Sequence, residues 1–341
     1  MSKQELETIA GAMVAPGKGI LAMDESTPTC KSRFEKMGIP CTEENRRSYR
    51  DLLVTTENLS EFIGAAILFD ETIRQTTLSG TPFATYLAKV GTVPGIKVDK
   101  GAKDLAAHPG EKVTEGLDGL RDRLAEYREM GARFTKWRAV ITIGDDIPSR
   151  GCIEANAHAL ARYAGLAQEA GLVPIVEPEV LINGDHTIER SYEVAEATLY
   201  TVFDELVSQR IYLEGMILKP SMVISGLDCP NRAGITEVAE QTVRCLLNTV
   251  PAAVPGIAFL SGGQSNEEAT AHLNAMHNLG RSLPWRLTFS YARALQQPAM
   301  DAWKGDAKNV TAAQTALYHR AKLNGAASLG RYSEAMEKEA A

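Results

Sequence analysis

The sequence has few cysteines, and their arrangement would not build a structural framework. They occupy positions 30, 41, 152, 229 and 245, an odd number with no Cys-x-x-Cys pair. This pattern argues against a disulfide scaffold and against a cysteine zinc site. Histidine is also scarce: there are six, and His272 and His277 are five residues apart, not the i, i+4 spacing of two ligands on one helix face. We therefore expect no metal and no cofactor.

Long apolar runs and a surplus of basic residues are absent too. No stretch is apolar over the roughly 20 residues that a membrane-spanning helix needs. The start, Met-Ser-Lys-Gln-Glu-Leu, has neither the apolar segment of a secretory signal nor the Arg-rich character of a transit peptide. The net charge of −7 argues against nucleic acid, which needs a basic face. We expect a cytoplasmic protein without membrane or nucleic-acid partners, or alternatively a plastid stromal protein whose transit peptide has been removed.

The chain does contain eight short apolar segments, which we predict to be strands. They span residues 19–23, 62–69, 93–98, 134–143, 172–176, 212–218, 256–260 and 285–289. Segments with helical periodicity lie between them, and an N-terminal helix within residues 1–17 precedes them. Such alternation predicts a parallel sheet. Eight units without a Gly-x-Gly-x-x-Gly turn favour a closed barrel over an open sheet. The prediction is an α/β protein, a single (β/α)8 TIM barrel domain over 1–341 with a flexible C-terminal tail.

Polar residues follow nearly every predicted strand. In a barrel of this kind the C-terminal strand ends share one face, so these residues converge although they are far apart in the chain. They are Asp24, Lys97, Lys136, Arg138, Glu177, Glu179, Lys219, Ser261, Gly262, Ser290 and Arg293. This is more ionisable groups than a solvated rim requires, and it predicts a functional site.

Lys219 is the most informative of these residues. It ends the apolar run Met216-Ile217-Leu218, where partial burial would disfavour its charged form and lower its pKa. A neutral amine is a nucleophile that can add to a carbonyl and form an imine. The alternative is an ordinary strand-end lysine whose ammonium group reaches water.

Lys136 bears on the choice between these readings. Strand alternation places Lys136 and Arg138 on one face. Lys136 would be a second cation that lowers the pKa of Lys219 further, or else a buried partner of Glu177 without chemistry. Glu177 and Glu179 flank a proline and face the same way in extended geometry, as a candidate acid/base and its orienting group, although Glu-Pro-Glu is also typical of a strand-ending loop. We expect crowding to tune a carboxyl there for proton transfer near neutral pH.

Two groups of residues are candidates for binding anions. Ser261-Gly262-Gly263-Gln264 follows the seventh strand, and Ser290-Tyr291-Ala292-Arg293 follows the eighth, between which barrels frequently bind phosphate. A Ser-Gly-Gly segment by itself is also common in plain turns. On the opposite side of the mouth, Ser26, Thr29, Arg33 and Lys97 are candidates for a second anion.

Seven segments together resemble one known family. They are Leu-Ala-Met-Asp-Glu-Ser (21–26), Val-Pro-Gly-Ile-Lys-Val-Asp-Lys-Gly (93–101), Lys-Trp-Arg (136–138), Val-Pro-Ile-Val-Glu-Pro-Glu (173–179), Leu-Glu-Gly-Met-Ile-Leu-Lys-Pro-Ser-Met-Val (213–223), Phe-Leu-Ser-Gly-Gly-Gln-Ser (259–265) and Phe-Ser-Tyr-Ala-Arg-Ala-Leu-Gln (289–296). Over nearly the whole chain they resemble class I fructose-1,6-bisphosphate aldolase. The resemblance implies a metal-independent Schiff-base lyase, normally a homotetramer, that acts on phosphorylated sugars in glycolysis, gluconeogenesis or the Calvin cycle.

The resemblance also implies roles for the site residues. Lys219 would form the imine, Glu177 would be the acid/base for imine formation, Asp24 would be the base at the C4 hydroxyl, and Lys136 would assist carbinolamine chemistry. The candidate catalytic set is completed by Glu179 and Arg138. Candidate substrate-binding residues are, for the ketose 1-phosphate, Ser261, Gly262, Gly263, Ser290, Tyr291 and Arg293, and for the distal phosphate, Ser26, Thr29, Arg33 and Lys97.

Some residues depart from the animal members of the family. Tyr-Ala-Arg at 291–293 resembles the chloroplast and cyanobacterial branch, and Pro28 and Thr29 replace the usual Gly-Ser. The branch suggests sedoheptulose 1,7-bisphosphate as an additional or preferred substrate. Two rival functions are a metal-dependent aldolase, which the scarcity of histidine disfavours, and a catalytically silent barrel that senses phosphate ligands, which the presence of both lysines and both acids disfavours.

Overall fold

Ten β-strands occur within residues 2–338, the part of the chain that the computed structural model describes. They are β1 (Gly19–Ala22), β2 (Ile63–Leu68), β3 (Val93–Lys97), β4 (Ala102–Asp104), β5 (Lys112–Thr114), β6 (Phe134–Ile141), β7 (Val173–Val180), β8 (Ile217–Leu218), β9 (Gly256–Phe259) and β10 (Arg286–Tyr291). Eight of them pair in parallel as a closed barrel, in the order β1-β10-β9-β8-β7-β6-β3-β2. The predicted (β/α)8 TIM barrel is confirmed. Strands β4 and β5 form a separate antiparallel hairpin.

Helices lie between the strands of the barrel. Over the same residues they are α1 (Lys3–Met13), α2 (Thr27–Glu35), α3 (Glu43–Val54), α4 (Asp70–Ile73), α5 (Phe83–Lys89), α6 (Leu120–Glu129), α7 (Arg150–Glu169), α8 (Ile188–Ser208), α9 (Ile235–Thr249), α10 (Asn266–His277), α11 (Arg293–Trp303) and α12 (Val310–Ala327). Serine caps mark several starts: the hydroxyls of Ser2, Ser149 and Ser265 each accept a hydrogen bond from the backbone N–H three residues on. None of these helices is long and apolar enough to cross a membrane.

The barrel strands are buried on both faces, which explains their nearly continuous apolar sequences. Outward-facing side chains pack against the helices. The interior is filled by a separate cluster that also contains Leu6, Ala10 and Met13 of α1. This cluster includes Phe134 and Val173, the first residues of β6 and β7, so α1 packs at the N-terminal ends of the strands. The C-terminal ends remain for the site.

One glycine is required by this interior packing. A Cβ atom at Gly95 would lie 2.3 Å from a ring carbon of Phe134. Because interiors are close-packed, no larger residue fits without moving the ring. Gly95 in β3 therefore allows Phe134 of the neighbouring strand to fill the barrel.

The predicted strand over 172–176 is too short, because β7 continues through Glu177-Pro178-Glu179 to Val180. The N–H of Val173 donates to Arg133, just before β6, and that of Leu181, just after β7, donates to Ile141 of β6. The carbonyl of Val176 instead accepts from the Lys219 N–H on the β8 side. Backbone groups of alternate residues face opposite neighbouring strands, so the nitrogen of Pro178, which carries no hydrogen, faces β8 as Val176 does. Because β8 contains only Ile217 and Leu218, no ladder bond is lost there.

Other differences concern short elements. The sixth predicted strand began at residue 212, but Leu213–Gly215 forms a 3₁₀ helix. Helix α2, which was not predicted, begins at Thr27. Pro28 lies in its first turn, where a proline is tolerated because the backbone N–H groups there have no partner within the helix. Helices α4, α5 and α11 and the β4–β5 hairpin were not predicted.

The C-terminal tail was predicted to be flexible from Arg331 onward. Its flexibility stays a prediction. Within the described part, up to Lys338, Arg320 donates two hydrogen bonds to the Glu337 carboxylate, and the Tyr332 hydroxyl donates a third. The last residues, 339–341, lie outside the described part of the chain. The domain limits of 1–341 stay a prediction.

Candidate active site

A cavity of about 420 Å³ opens at the C-terminal ends of the barrel strands. Its volume lies within the range that small-molecule sites occupy. Every predicted site residue except Tyr291 lines it. Convergence therefore follows from the barrel itself, which gathers the ends of β1, β3, β6, β7, β8, β9 and β10.

Two lysines and two carboxylates form a buried ionic cluster in this cavity. Lys219 Nζ lies 3.1 Å from Glu177 Oε1, and Lys136 Nζ lies 2.9 Å from Glu177 Oε2. Lys136 Nζ also donates to Asp24 Oδ2 at 2.9 Å. Each of the four side chains is less than a tenth exposed. The cluster thus runs from Asp24 through Lys136 and Glu177 to Lys219.

The two lysines have opposite pKa shifts. Burial lowers the pKa of Lys219, Glu177 offsets this only in part, and Lys136 lowers it further. Burial also disfavours the charge of Lys136, but Asp24 and Glu177 outweigh it and raise its pKa. Lys219 is therefore the amine that releases its proton more readily and can act as a nucleophile. As predicted, Lys136 lowers the pKa of Lys219, and its effect is smaller than that of burial.

The pKa values of the two carboxylates are lowered instead of raised toward neutral pH, as the sequence suggested they would be. Burial alone would raise the pKa of Glu177, but Lys136, Lys219 and Arg138 outweigh it and lower the pKa. Likewise, Lys136 and Lys219 overcome burial and lower the pKa of Asp24 to about 2. The expectation of a carboxyl titrating near neutral pH is wrong for the free protein. Both groups are ionised and can accept protons.

Glu179 is paired away from Lys219. Its Oε2 accepts a hydrogen bond of 2.5 Å from Arg138 Nε, and the Arg138 side chain is 40% exposed. Burial opposes the charge of Arg138, and Glu179 outweighs it and raises its pKa. Arg138 is thus a permanent cation at the rim of the cavity.

Cations on one side of the mouth are each matched with an acid. Arg33 Nη1 donates to Glu25 Oε1 at 2.6 Å, and Lys97 Nζ donates to Asp99 Oδ1 at 2.6 Å. Both cations remain partly exposed to the cavity. The Ser26 and Thr29 hydroxyls lie nearby, 3.2 Å apart. This side can present two cations and two hydroxyls to an anion.

The opposite side is built from backbone and hydroxyl groups. Gly262 and Gly263 have φ values of +46° and +91°, which glycine adopts without strain, and they turn the chain before α10. Arg293 at the start of α11 is exposed and donates to the Gln264 carbonyl at 2.6 Å. The Ser290 Oγ is buried and has no hydrogen-bond partner within residues 2–338. Buried polar groups are normally hydrogen-bonded, so this hydroxyl is available to a ligand that enters the cavity.

Tyr291 does not reach the cavity with its side chain. Its hydroxyl donates to the Ala269 carbonyl at 2.8 Å, and its ring packs against Phe289 in the outer core. Strand alternation explains this, since Ser290 and Tyr291 must point to opposite faces of β10. The position of its side chain does not support a contact with substrate, and a role for Tyr291 in substrate binding stays a prediction that concerns its backbone.

Sequence reasoning missed two acids that hold the site together, and it named Gln264 within an anion-binding segment without predicting its bracing contacts. Glu25 and Asp99 line the cavity and hold its cations, and buried Gln264 accepts a hydrogen bond of 2.6 Å at Oε1 from the His272 ring. The side-chain amide of Gln264 also donates to the Ser261 carbonyl and so braces the glycine turn. A second acid directly after Asp24 was the available signal for Glu25. The other pairings need the three-dimensional structure.

The fold and the cavity together define a class of protein. A (β/α)8 barrel with a nucleophilic lysine among carboxylates, and with anion-binding groups on both sides, has the form of an enzyme acting on phosphorylated carbonyl compounds. Residues 2–338 contain no group of three or more His, Cys, Asp or Glu side chains that could hold a metal ion.

Comparison with known proteins gives the family. A model described as fructose-bisphosphate aldolase class-I matches residues 5–341. A probable fructose-bisphosphate aldolase class 1 from Xanthomonas campestris pv. campestris is 63% identical over 333 residues, covering 97% of this chain and 99% of that protein. Fructose-bisphosphate aldolase 1, chloroplastic, from Chlamydomonas reinhardtii is 51% identical and covers 99% and 89%. The chain belongs to the class-I fructose-bisphosphate aldolases, which are lyases of the Schiff-base, metal-independent kind.

A solved structure agrees in fold. Fructose-bisphosphate aldolase from Plasmodium falciparum superposes with a TM-score of 0.95 at 47% identity, covering 97% of this chain and 95% of that one. The predicted chloroplast branch has only loose support, because the bacterial relative is more similar to this chain than the chloroplastic one.

Replacing Lys136 by Met should raise the pKa of Lys219. The substitution removes a neighbouring cation and leaves Asp24 and Glu177 with Lys219 as the remaining cation of the cluster. Reductive methylation with formaldehyde and cyanoborohydride reports this, because only the neutral amine reacts. The pH of half-maximal reaction at Lys219, followed by peptide mass spectrometry, should move to a higher value. A Lys136→Arg control keeps the cation, and an unchanged midpoint in Lys136→Met would mean that Lys136 does not lower the pKa of Lys219.

Proposed function

We propose that this chain reversibly cleaves fructose 1,6-bisphosphate to dihydroxyacetone phosphate and glyceraldehyde 3-phosphate through an imine on Lys219. The observation that carries the proposal is the position of Lys219. Its amine is buried, has a lowered pKa and lies 3.1 Å from Glu177, in a cavity with anion-binding groups on either side.

Imine formation begins when the neutral Lys219 amine adds to the C2 carbonyl of the ketose. The nitrogen gains a bond to C2 as the C2–O double bond becomes single, and the carbonyl oxygen takes a proton from solvent and becomes the hydroxyl of a carbinolamine. That hydroxyl then leaves as water. Glu177 touches both lysines, so it can accept the proton that the amine loses and return a proton to the departing oxygen. The resulting iminium withdraws electrons from C3.

Cleavage of the C3–C4 bond then requires a base at the C4 hydroxyl. Asp24 is ionised and accepts a hydrogen bond from Lys136, and we assign it this task. As the C4 hydroxyl loses its proton, the C3–C4 electron pair moves into the iminium. Glyceraldehyde 3-phosphate leaves and an enamine remains on Lys219. Protonation at C3 and hydrolysis of the imine release dihydroxyacetone phosphate.

Lys136 connects the two proton-transfer groups. Its pKa is raised, so it stays protonated between Asp24 and Glu177. A fixed cation there stabilises the negative charge that develops on the carbinolamine oxygen. Glu179 and Arg138 form the next pair outward and hold the rim of the site.

The phosphates would occupy the two sides of the cavity. We propose that Ser261, Gly262, Gly263, Ser290 and Arg293 hold the 1-phosphate, with the Tyr291 side chain omitted. Ser26, Thr29, Arg33 and Lys97 would hold the distal phosphate. The glycine turn before α10 and the start of α11 both suit an anion, because N–H groups at helix N-termini are unsatisfied.

Substrate length and assembly are further proposals. The three named relatives are all fructose-bisphosphate aldolases, so sedoheptulose 1,7-bisphosphate receives no support beyond the Tyr-Ala-Arg segment.

We propose a homotetramer by family resemblance. Exposed apolar side chains on α8 and α9, among them Tyr200, Val207 and Leu247, are suited to a subunit contact. Light scattering would give the mass of the assembly.

For location, we propose the cytoplasm rather than a plastid.

A coupled assay tests the main proposal. We expect the purified chain to cleave fructose 1,6-bisphosphate at an undiminished rate in the presence of EDTA. Lys219→Met should abolish activity, because no other amine in the cluster has a lowered pKa. Borohydride reduction with dihydroxyacetone phosphate should attach a triose phosphate to the peptide that contains Lys219.

Three results would count against the proposal. Loss of activity in EDTA would indicate a metal-dependent aldolase. If the peptide that contains Lys219 is unmodified after borohydride reduction, no imine forms on Lys219. Absence of turnover with both six- and seven-carbon bisphosphates would leave a phosphate-binding barrel without catalysis.

Ser290→Ala tests the 1-phosphate assignment separately. The Ser290 hydroxyl has no hydrogen-bond partner among residues 2–338, so its removal should leave the thermal unfolding temperature unchanged or slightly higher. The KM for fructose 1,6-bisphosphate should rise about fivefold or more if the hydroxyl donates to phosphate. Ser261→Ala is a second variant for comparison. An unchanged KM in Ser290→Ala would show that the Ser290 hydroxyl does not bind the 1-phosphate.

A further inference from the structure

A buried carboxylate, Glu25, lies directly behind the proposed distal-phosphate group. Its side chain is 5% exposed. Oε1 accepts hydrogen bonds from Arg33 Nη1 at 2.6 Å and from the Gln296 amide at 2.9 Å, and Oε2 accepts from Arg50 Nη1 at 2.6 Å. Glu25 is therefore held by three donors from α2, α3 and α11.

The charges in this group do not cancel. One carboxylate faces two guanidinium groups, so a net positive charge remains. Arg50 is buried, does not line the cavity, and is tied also to the Glu25 carbonyl and the Cys30 sulfur. Arg33 lines the cavity and is 22% exposed. The surplus charge is therefore presented to a ligand through Arg33 alone.

Gln296 determines where the Glu25 carboxylate sits. It is fully buried, and its Nε2 donates to the Ala22 carbonyl at 2.6 Å as well as to Glu25. The Tyr49 hydroxyl donates to Gln296 Oε1 at 3.0 Å, which fixes the orientation of the amide. Gln296 thus ties the end of β1 and the acid that follows it to α11.

The same helix begins with Arg293, one turn before Gln296. Residues three apart on a helix are neighbours, so α11 carries a cavity-lining cation at its start and the anchor of Glu25 one turn later. The polar path runs from α11 through Gln296 and Glu25 to Arg33. It joins the two sides of the cavity behind the ionic cluster.

We propose that Gln296 is a positioning residue that holds Arg33, through Glu25, where it recognises a distal phosphate on the substrate. The inference rests on the proposed function and adds a determinant of specificity to it. Gln296 does not line the cavity, so any effect on substrate must pass through Glu25 and Arg33.

Paired substrates test the proposal. Fructose 1-phosphate has the same ketose chemistry as fructose 1,6-bisphosphate but no distal phosphate. In Gln296→Met the side chain keeps its length and loses the two hydrogen bonds that its amide donates. We expect kcat/KM for the bisphosphate to fall about tenfold, chiefly through KM, because a charged group loses a fixed partner. The kcat/KM for fructose 1-phosphate should change by about twofold or less.

Gln297→Met is the matched control. Gln297 is the next residue of α11, and its amide bonds to Asp301 instead of the site. In Gln297→Met, kcat/KM for fructose 1,6-bisphosphate and kcat/KM for fructose 1-phosphate should both equal those of the chain without substitutions. Tyr49→Phe is a second variant, since it removes only the hydroxyl that orients Gln296. It should lower the preference for the bisphosphate in the same direction, by about threefold.

The outcomes separate this inference from the proposed function. Equal losses on both substrates, or an unchanged preference, would overturn the positioning role of Gln296. If circular dichroism shows that Gln296→Met is unfolded, the preference measured in Tyr49→Phe decides. If the unmodified chain cleaves neither substrate, the proposed function itself fails.

Discussion

The site depends on one carboxylate that is shared by two lysines. Glu177 lies 2.9 Å from Lys136 and 3.1 Å from Lys219, and all three side chains are buried. Burial disfavours the charged form of both lysines. Their pKa values differ because Lys136 contacts more acids than Lys219 does. Lys136 contacts Asp24 as well and keeps its proton, whereas among residues 2–338 Lys219 forms an ion pair with Glu177 alone. Two chemically identical side chains are thereby given different protonation tendencies within one cavity.

The barrel register brings these groups together. In the β6–β7 pairing Arg138 lies opposite Glu177, and the Lys219 backbone N–H bonds to Val176, so three adjacent strands bring their ends to one level. A short β8 serves this arrangement in two ways. It ends at Leu218, which leaves Lys219 at the mouth, and it requires no ladder bond from Pro178. β7 can therefore continue past the proline and carry both acids on one rigid strand.

Much of this was predictable from the sequence because strand ends in a closed barrel must converge. Eight apolar segments sufficed to predict the fold, and residues at or after their ends sufficed to predict most of the polar side chains that line the cavity, although not Glu25 and Asp99. Three features were not predictable from spacing. The direction of Tyr291 depends on where β10 begins its alternation. The lowered pKa of Glu177 depends on how many cations surround it. The pairing of Glu25 with Gln296, 271 positions away, depends on the closure of β1 against β10.

The two sides of the cavity differ in how they can meet an anion. The Ser261–Gly263 side offers a glycine turn, the starts of two helices and an unpartnered hydroxyl, none of which must give up an acid before a ligand binds. On the other side Arg33 and Lys97 already contact Glu25 and Asp99. Binding there exchanges or shares an existing ion pair, so its strength depends on how firmly the acid is held from behind. Arg50 and Gln296 provide that hold, which makes residues outside the cavity part of its selectivity.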